Sequence, residues 1–257
     1  MKTVLSIAAS DPSGGAGIQA DLRAITAHGL YGMAVPTALT VQNTLGVTGV
    51  LVLEPDFLEA QLHAVLSDIR PDAVKIGAMP GADHARITAD LLREFEVTNV
   101  VFDPVLASTS GAALGSLEAV ELLAPCVSLL TPNLPEAAKL LGRDPAELVT
   151  PVEIESAAAG LVKRFRTAIL LKGGHRSDGS FDDYFLPPEG DGVWLPTRVA
   201  PPCGNHGTGC LLSSSIACGL ASGLSMLESI RRAKERLSDA LARGLSLGYG
   251  NSPVDFR

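Results

Sequence analysis

Thr3-Val-Leu-Ser-Ile-Ala8 runs directly into Ala9-Ser-Asp-Pro-Ser-Gly-Gly-Ala-Gly-Ile-Gln-Ala-Asp21. A short, mostly apolar run rich in β-branched residues reads as a buried strand, the glycines as a tight turn, and the apolar spacing over Ala16–His28 as a helix. The same alternation continues outward. Val74–Gly77, Asn99–Phe102, Ser128–Leu130 and Ala168–Leu171 read as further buried strands. Between and around them, Pro55–Ile69, Ala82–Phe95, Leu117–Leu123, Leu134–Leu141 and Pro151–Phe165 carry apolar residues at three- and four-residue intervals and read as helices. Strands alternating with helices predict an α/β fold, a mainly parallel central sheet flanked by helices on both faces.

Two segments break the rhythm. Met33–Leu53 is rich in Val and Thr with a turn near Asn43–Gly46, and reads as a hairpin projecting beyond the sheet as a small β lid. Asp178–Pro202 has Gly, Pro and Asp clusters separating short strands that end near Tyr184 and Arg198, and reads as an antiparallel edge. Two helical patterns follow, Gly207–Gly223 and Met226–Gly244. In the second, Glu228, Arg231, Arg232, Lys234, Glu235 and Arg236 read mostly as a solvated face. With no repeat or linker, one domain over residues 1–257 is expected.

Composition narrows the function. The 46% hydrophobic and 19% charged residues suit ordinary globular packing. A net charge of −8 argues against a nucleic-acid surface, which needs clustered Lys and Arg, so any phosphate must be held locally. Met1–Ile7 is too short for a signal peptide and no stretch approaches the roughly 18 apolar residues of a membrane span, so the cytoplasm is expected. The four cysteines, Cys126, Cys203, Cys210 and Cys218, form no CxxC pair, and the five histidines show no HExxH spacing. Neither a disulfide framework nor a transition-metal site is indicated.

Gly204-Asn-His-Gly-Thr-Gly-Cys210 leads straight into the small-residue helix Leu211–Gly219. Unpaired amides, a positive helix end and absent side chains at Gly207, Thr208 and Gly209 would make an anion hole, although a glycine turn that only caps a helix has the same appearance. It is not a Walker A loop, since no Lys-Ser or Lys-Thr follows. Cys210 falls in the first turn, where the dipole would lower a thiol from about 8.5 toward neutrality and let it take a proton; the plain alternative is a small buried apolar residue. The first loop, with Ala9, Asp11 and Asp21, lies where ligands gather in parallel sheets, or is simply a turn. In Thr131-Pro-Asn-Leu-Pro-Glu136, Asn133 and Glu136 form a helix cap or hold a water-clad Mg²⁺. Asp103, at a strand end, is a second candidate for Mg²⁺ or phosphate. Lys172 in Leu170-Leu-Lys-Gly-Gly-His175 would meet a nucleotide phosphate.

In order along the chain, SDPSGGAGIQAD, QNT at Gln42–Thr44, DPV at Asp103, TPNLPEA at Thr131, LLKGGH at Leu170 and HGTGC at His206 resemble the hydroxymethylpyrimidine and hydroxymethylpyrimidine-phosphate kinases of thiamine synthesis. The resemblance spans essentially the whole chain. It implies a ribokinase-like fold, ATP and Mg²⁺, a small-molecule pyrimidine substrate, and a homodimer. By the same resemblance Gln42 reads the aminopyrimidine edge; from the first loop, Ala9 and Asp21 are expected beside the substrate. Gly207, Thr208 and Gly209 form the anion hole with Cys210 as base. Asn133, Lys172 and His206 face the nucleotide, and Glu136 and Asp103 its metal and phosphates. Two positions depart: Thr109 stands where a Lys is common, and Ala78 where a Met packs on the ring, with Met79 next door as a substitute. Pyridoxal kinase is the nearest rival, but its lid cysteine has no counterpart in Leu106–Ala112. A rival of another class reads Cys210 and His206 as a hydrolase dyad with the glycine amides as oxyanion hole.

Overall fold

Both faces of a parallel strand must be covered by helices, and the chain meets that demand by crossing the sheet repeatedly. The computed structural model describes residues 1–108, 111–174, 182–197 and 206–256. In chain order the elements are β1 (Thr3–Ser10), α1 (Gly17–Ala27), β2 (Tyr31–Asn43), β3 (Gly46–Val52), α2 (Pro55–Leu66), β4 (Ala73–Ile76), α3 (Ala82–Glu94), β5 (Val100–Phe102) and α4 (Leu117–Leu123). They continue as β6 (Leu129–Leu130), α5 (Leu134–Leu141), α6 (Pro151–Phe165), β7 (Ala168–Leu171), β8 (Asp183–Leu186), β9 (Val193–Leu195), α7 (Thr208–Ala221) and α8 (Met226–Arg243).

Among the described residues one sheet runs β3-β2-β1-β4-β5-β6-β7-β8-β9, parallel from β2 to β7 and antiparallel at each end. The expected α/β architecture is present. β1 sits inside the sheet and the chain leaves it first toward β2, then returns on the other side to β4. Neighbouring loops therefore diverge at the β1/β4 junction, the place where open α/β sheets bind ligands.

Alternate strand residues feed two cores. Leu5, Ile7, Val74 and Ile76 pack toward α2 to α6, while Val4, Ala73 and Val101 pack toward α7 and α8. Helix α7 is buried nearly all round. Its Leu211, Leu212 and Ile216 each contribute about 1.5–3 kcal/mol by leaving water. Its small residues let α8 come close: a side chain at Gly219 would stand 2.7 Å from Ser229 Oγ.

The lid differs from expectation in one respect. β2 is a single long strand that runs beside β1 in the central sheet from Tyr31 to Leu39, and from Ala38 onward its other edge pairs with β3. A bulge at Val41/Gln42 interrupts that pairing, and Thr40 and Gln42 stay on the half-buried face while Leu39 and Val41 face out. The antiparallel edge is β8 and β9; Arg198, expected near its end, lies outside the described residues. No helix among the described residues is long and apolar enough to cross a membrane.

Candidate active site

The carboxyl ends of β1, β4, β5, β6 and β7 and the start of α7 surround a cleft of about 550 Å³. Gly207 is the N-cap of α7 with φ +85°, a left-handed value natural to glycine, and a side chain there would collide with the Gly15 carbonyl. Being glycine, the N-cap brings no capping side chain, and no side chain among the described residues caps the helix, so its first amides are placed to meet an anion. A side chain on Gly209 would stand 3.0 Å from Asp103 Oδ2 and 3.5 Å from Lys172 Nζ; glycine leaves that space to a ligand.

Opposite the glycine turn, Lys172 Nζ donates to Asp103 Oδ1 at 2.6 Å, and Thr131 Oγ1 reaches the same oxygen at 3.3 Å. Burial works against the Lys172 charge, but Asp103 and Glu136 outweigh it and raise its pKa. Asn133 and Glu136 form a reciprocal capping box on α5, with both bonds 2.8 Å. The cap reading is therefore realised, and both residues also line the cleft. Burial pushes the Glu136 carboxyl up to about 7 against the pull of Lys172, and the nearby Asp103 charge adds to the rise.

At the other end, His206 Nε2 lies 2.9 Å from Asp11 Oδ2 and 3.3 Å from Gln42 Nε2. His206 was expected with the nucleotide, yet its contacts are with Asp11 and Gln42, the residues expected beside the substrate. The reason is the chain after α8: His206 N–H donates to the Ser252 carbonyl and Val254 N–H to the His206 carbonyl, which pulls the imidazole toward Asp11. An Nε2–H donating to Asp11 cannot also accept from Gln42, so the Gln42 amide hydrogens stay available to a ligand. Burial would raise the Asp11 pKa, but the bonds from His206 and Ser13 outweigh it and hold it low. Ala9, Ala78, Val105 and Leu114 form a small apolar surface in the same cleft. Met79 is buried in the core and does not line the cleft, so it is no substitute for the ring-packing Met; Thr109 lies outside the described residues.

Asp21 is corrected outright. It is fully buried, accepting from Ser6 Oγ at 2.6 Å, Lys75 Nζ at 2.8 Å and Ser214 Oγ at 2.9 Å, and it does not reach the cleft. Cys210 does line the cleft, but burial pushes its thiol up to about 11, with Lys75 and the Gly17 amide pulling against burial, Asp21 and Asp103. The expected drop toward neutrality fails because desolvation exceeds the helix-end effect. Nor is the hydrolase dyad formed, since His206 Nε2 is engaged by Asp11 while Cys210 Sγ faces Lys75 Nζ at 4.0 Å.

Two lysines escaped the sequence reading. Lys75 stands in β4 and reaches the cleft from below. Lys234, expected among the solvated charges of α8, is buried at the cleft wall, donating to Asp183 Oδ2 at 2.5 Å and Thr197 Oγ1 at 2.9 Å. A signal existed for each. Lys75 interrupts an apolar parallel strand, and Lys234 falls on the stripe Ile230, Ala233, Leu237 and Leu241.

A parallel sheet whose strand ends meet a glycine-opened helix, with a hairpin lid and paired lysines and carboxylates in one cleft, defines a ribokinase-like kinase. The model of the family described as phosphomethylpyrimidine kinase matches residues 11–255, and the chain belongs to that family. It is 42% identical to the hydroxymethylpyrimidine/phosphomethylpyrimidine kinase of Escherichia coli K12 across 97% of this chain and 95% of that protein. Its structure is similar to the phosphomethylpyrimidine kinase of Clostridium difficile 630, with 34% identity, a TM-score of 0.81, and coverage of 94% of this chain and 100% of that one. It is also similar to the pyridoxal kinase of Staphylococcus aureus in complex with AMP-PCP and pyridoxal, with 30% identity, a TM-score of 0.89, and coverage of 100% and 93%.

Proposed function

We propose that the protein transfers the γ-phosphoryl of ATP to the hydroxymethyl group of an aminopyrimidine and then to the resulting monophosphate, in thiamine synthesis. The carrying observation is the glycine-opened start of α7 facing the Asp103–Lys172 pair across the space that Gly209 leaves. Family membership supports the pyrimidine, and the small apolar surface beside the Gln42 amide suits a flat ring with a polar edge.

Catalysis is then mainly positioning and charge stabilisation. The amides after Gly207 receive the moving phosphoryl group, Lys172 offsets charge on the triphosphate, and Cys210 takes the hydroxyl proton. Mg²⁺ fits the donor set: no cluster of three His, Cys, Asp or Glu surrounds one point among the described residues, but Asp103 and Glu136 share one space, and this ion keeps most of its waters. Asp103 and Glu136 would hold it, and it supplies positive charge to the phosphates. We propose a cytoplasmic homodimer, as the family resemblance implies; light scattering on the purified protein tests the dimer.

An ADP-release assay with hydroxymethylpyrimidine, its monophosphate and pyridoxal decides the reading. Turnover of both pyrimidines is expected, with pyridoxal weaker because Leu106–Ala112 holds no cysteine. ADP release with pyridoxal alone would replace the assignment with pyridoxal kinase.

A further inference from the structure

Lys75 is the bulkiest of the fully buried side chains among the described residues. A lone buried ammonium is strongly unfavourable, and this one is neutralised by Asp21 at 2.8 Å. Asp21 is itself held on both oxygens, by Ser6 from β1 and Ser214 from α7, so three elements around it fix the ammonium in place. Gly77 completes the arrangement: a side chain there would stand 2.9 Å from Lys75 Nζ. So held, Nζ lies 4.0 Å from Cys210 Sγ and lines the cleft. A buried ion pair kept only for stability is poorly explained, since apolar replacements of such pairs are often neutral or stabilising. Its direction supplies another reason.

We propose that Lys75 is a positioning residue for Cys210: clamped by Asp21, its ammonium stabilises the sulfur as thiolate and keeps it turned toward the substrate hydroxyl. The inference rests on Cys210 as proton acceptor. In that step the substrate O–H bond breaks and an S–H bond forms, while the oxygen bonds to the γ-phosphorus and the bond to the ADP oxygen breaks. The charges around Sγ are Lys75 from β4, Asp21 from α1, Asp103 after β5 and Lys172 after β7, with the Gly17 amide. Burial is the largest influence on the thiol and opposes ionisation; Lys75 is the first of those that favour it.

Two variants test this, Lys75→Met and the double variant Lys75→Met with Asp21→Asn, which leaves no unpaired buried carboxylate. In the intact protein, iodoacetamide alkylation of Cys210 is followed against pH by mass spectrometry of its peptide. Lys75→Met is expected to alkylate about tenfold or more slowly at a given pH, equivalent to one pKa unit, and the double variant to be slowed less but still measurably, because the Asp21 charge it removes opposes ionisation less strongly than Lys75 favours it. Transfer to the hydroxymethyl group should fall in step, and transfer to the monophosphate should not. An unchanged alkylation profile in the folded double variant overturns the proposal. A shifted profile with equal losses in both transfers overturns its catalytic half, by removing Cys210 as base while ATP turnover persists.

Discussion

Cys210 gives the sharpest consequence at the residue scale. A thiol held near 11 is almost wholly protonated at neutral pH, so transfer to a hydroxymethyl group should quicken as pH rises from about 6 to about 9. A phosphate monoester has its second pKa near 6 and arrives already ionised. Cys210→Ala should slow the first transfer by ~100-fold or more and the second only slightly, as separate single-turnover assays would register. Equal losses would reject the base. The neighbouring geometry explains why a cysteine sits there: Gly207 turns the chain left-handed and delivers residue 210 into the cleft one helical turn later.

Among the elements, α5 links stability to pH. Its capping-box acid, Glu136, has its pKa raised from 4.5 to about 7, chiefly by burial. Between those values the folded protein retains a proton that the unfolded chain has released. The contribution is therefore full below 4.5 and lost as pH rises through about 7. Glu136→Gln keeps an acceptor for the Asn133 amide and removes the titration. In thermal melts without nucleotide, the variant should gain on the parent between about pH 5 and about pH 8, by at most a few kcal/mol. A gap independent of pH would show that Glu136 carries no such linkage. The α5 and α6 capping boxes were both readable as Asn-x-x-Glu and Thr-x-x-Glu spacings, because a cap is a contact between near neighbours in the chain.

Across the whole molecule, the segment after α8 ties the lid to the anion turn. Asn251 N–H donates to the Thr44 carbonyl at 2.8 Å and Gly250 N–H to Thr44 Oγ1 at 3.2 Å, while Ser252 and Val254 bracket His206. Deleting residues 245–257 should leave the helical circular dichroism largely intact and raise the substrate KM about tenfold or more, by releasing both Gln42 and His206. An unchanged KM would show that the lid holds its place without this strap. No sequence period marks such a strap, because it has no secondary structure of its own.

The sequence alone settled the alternation of elements and their spans: Leu117–Leu123, Leu134–Leu141, Pro151–Phe165 and Ala168–Leu171 follow from hydrophobic period and caps, which are local properties. It also located the glycine turn, whose chemistry lies within seven consecutive residues. Only the tertiary structure paired the buried charges. Lys75 with Asp21, Lys234 with Asp183 and His206 with Asp11 are 54, 51 and 195 residues apart. A buried charge must find its counterpart wherever the fold brings one, and the same desolvation that forces the pairing moved Asp21 out of the site and drove the Cys210 thiol upward.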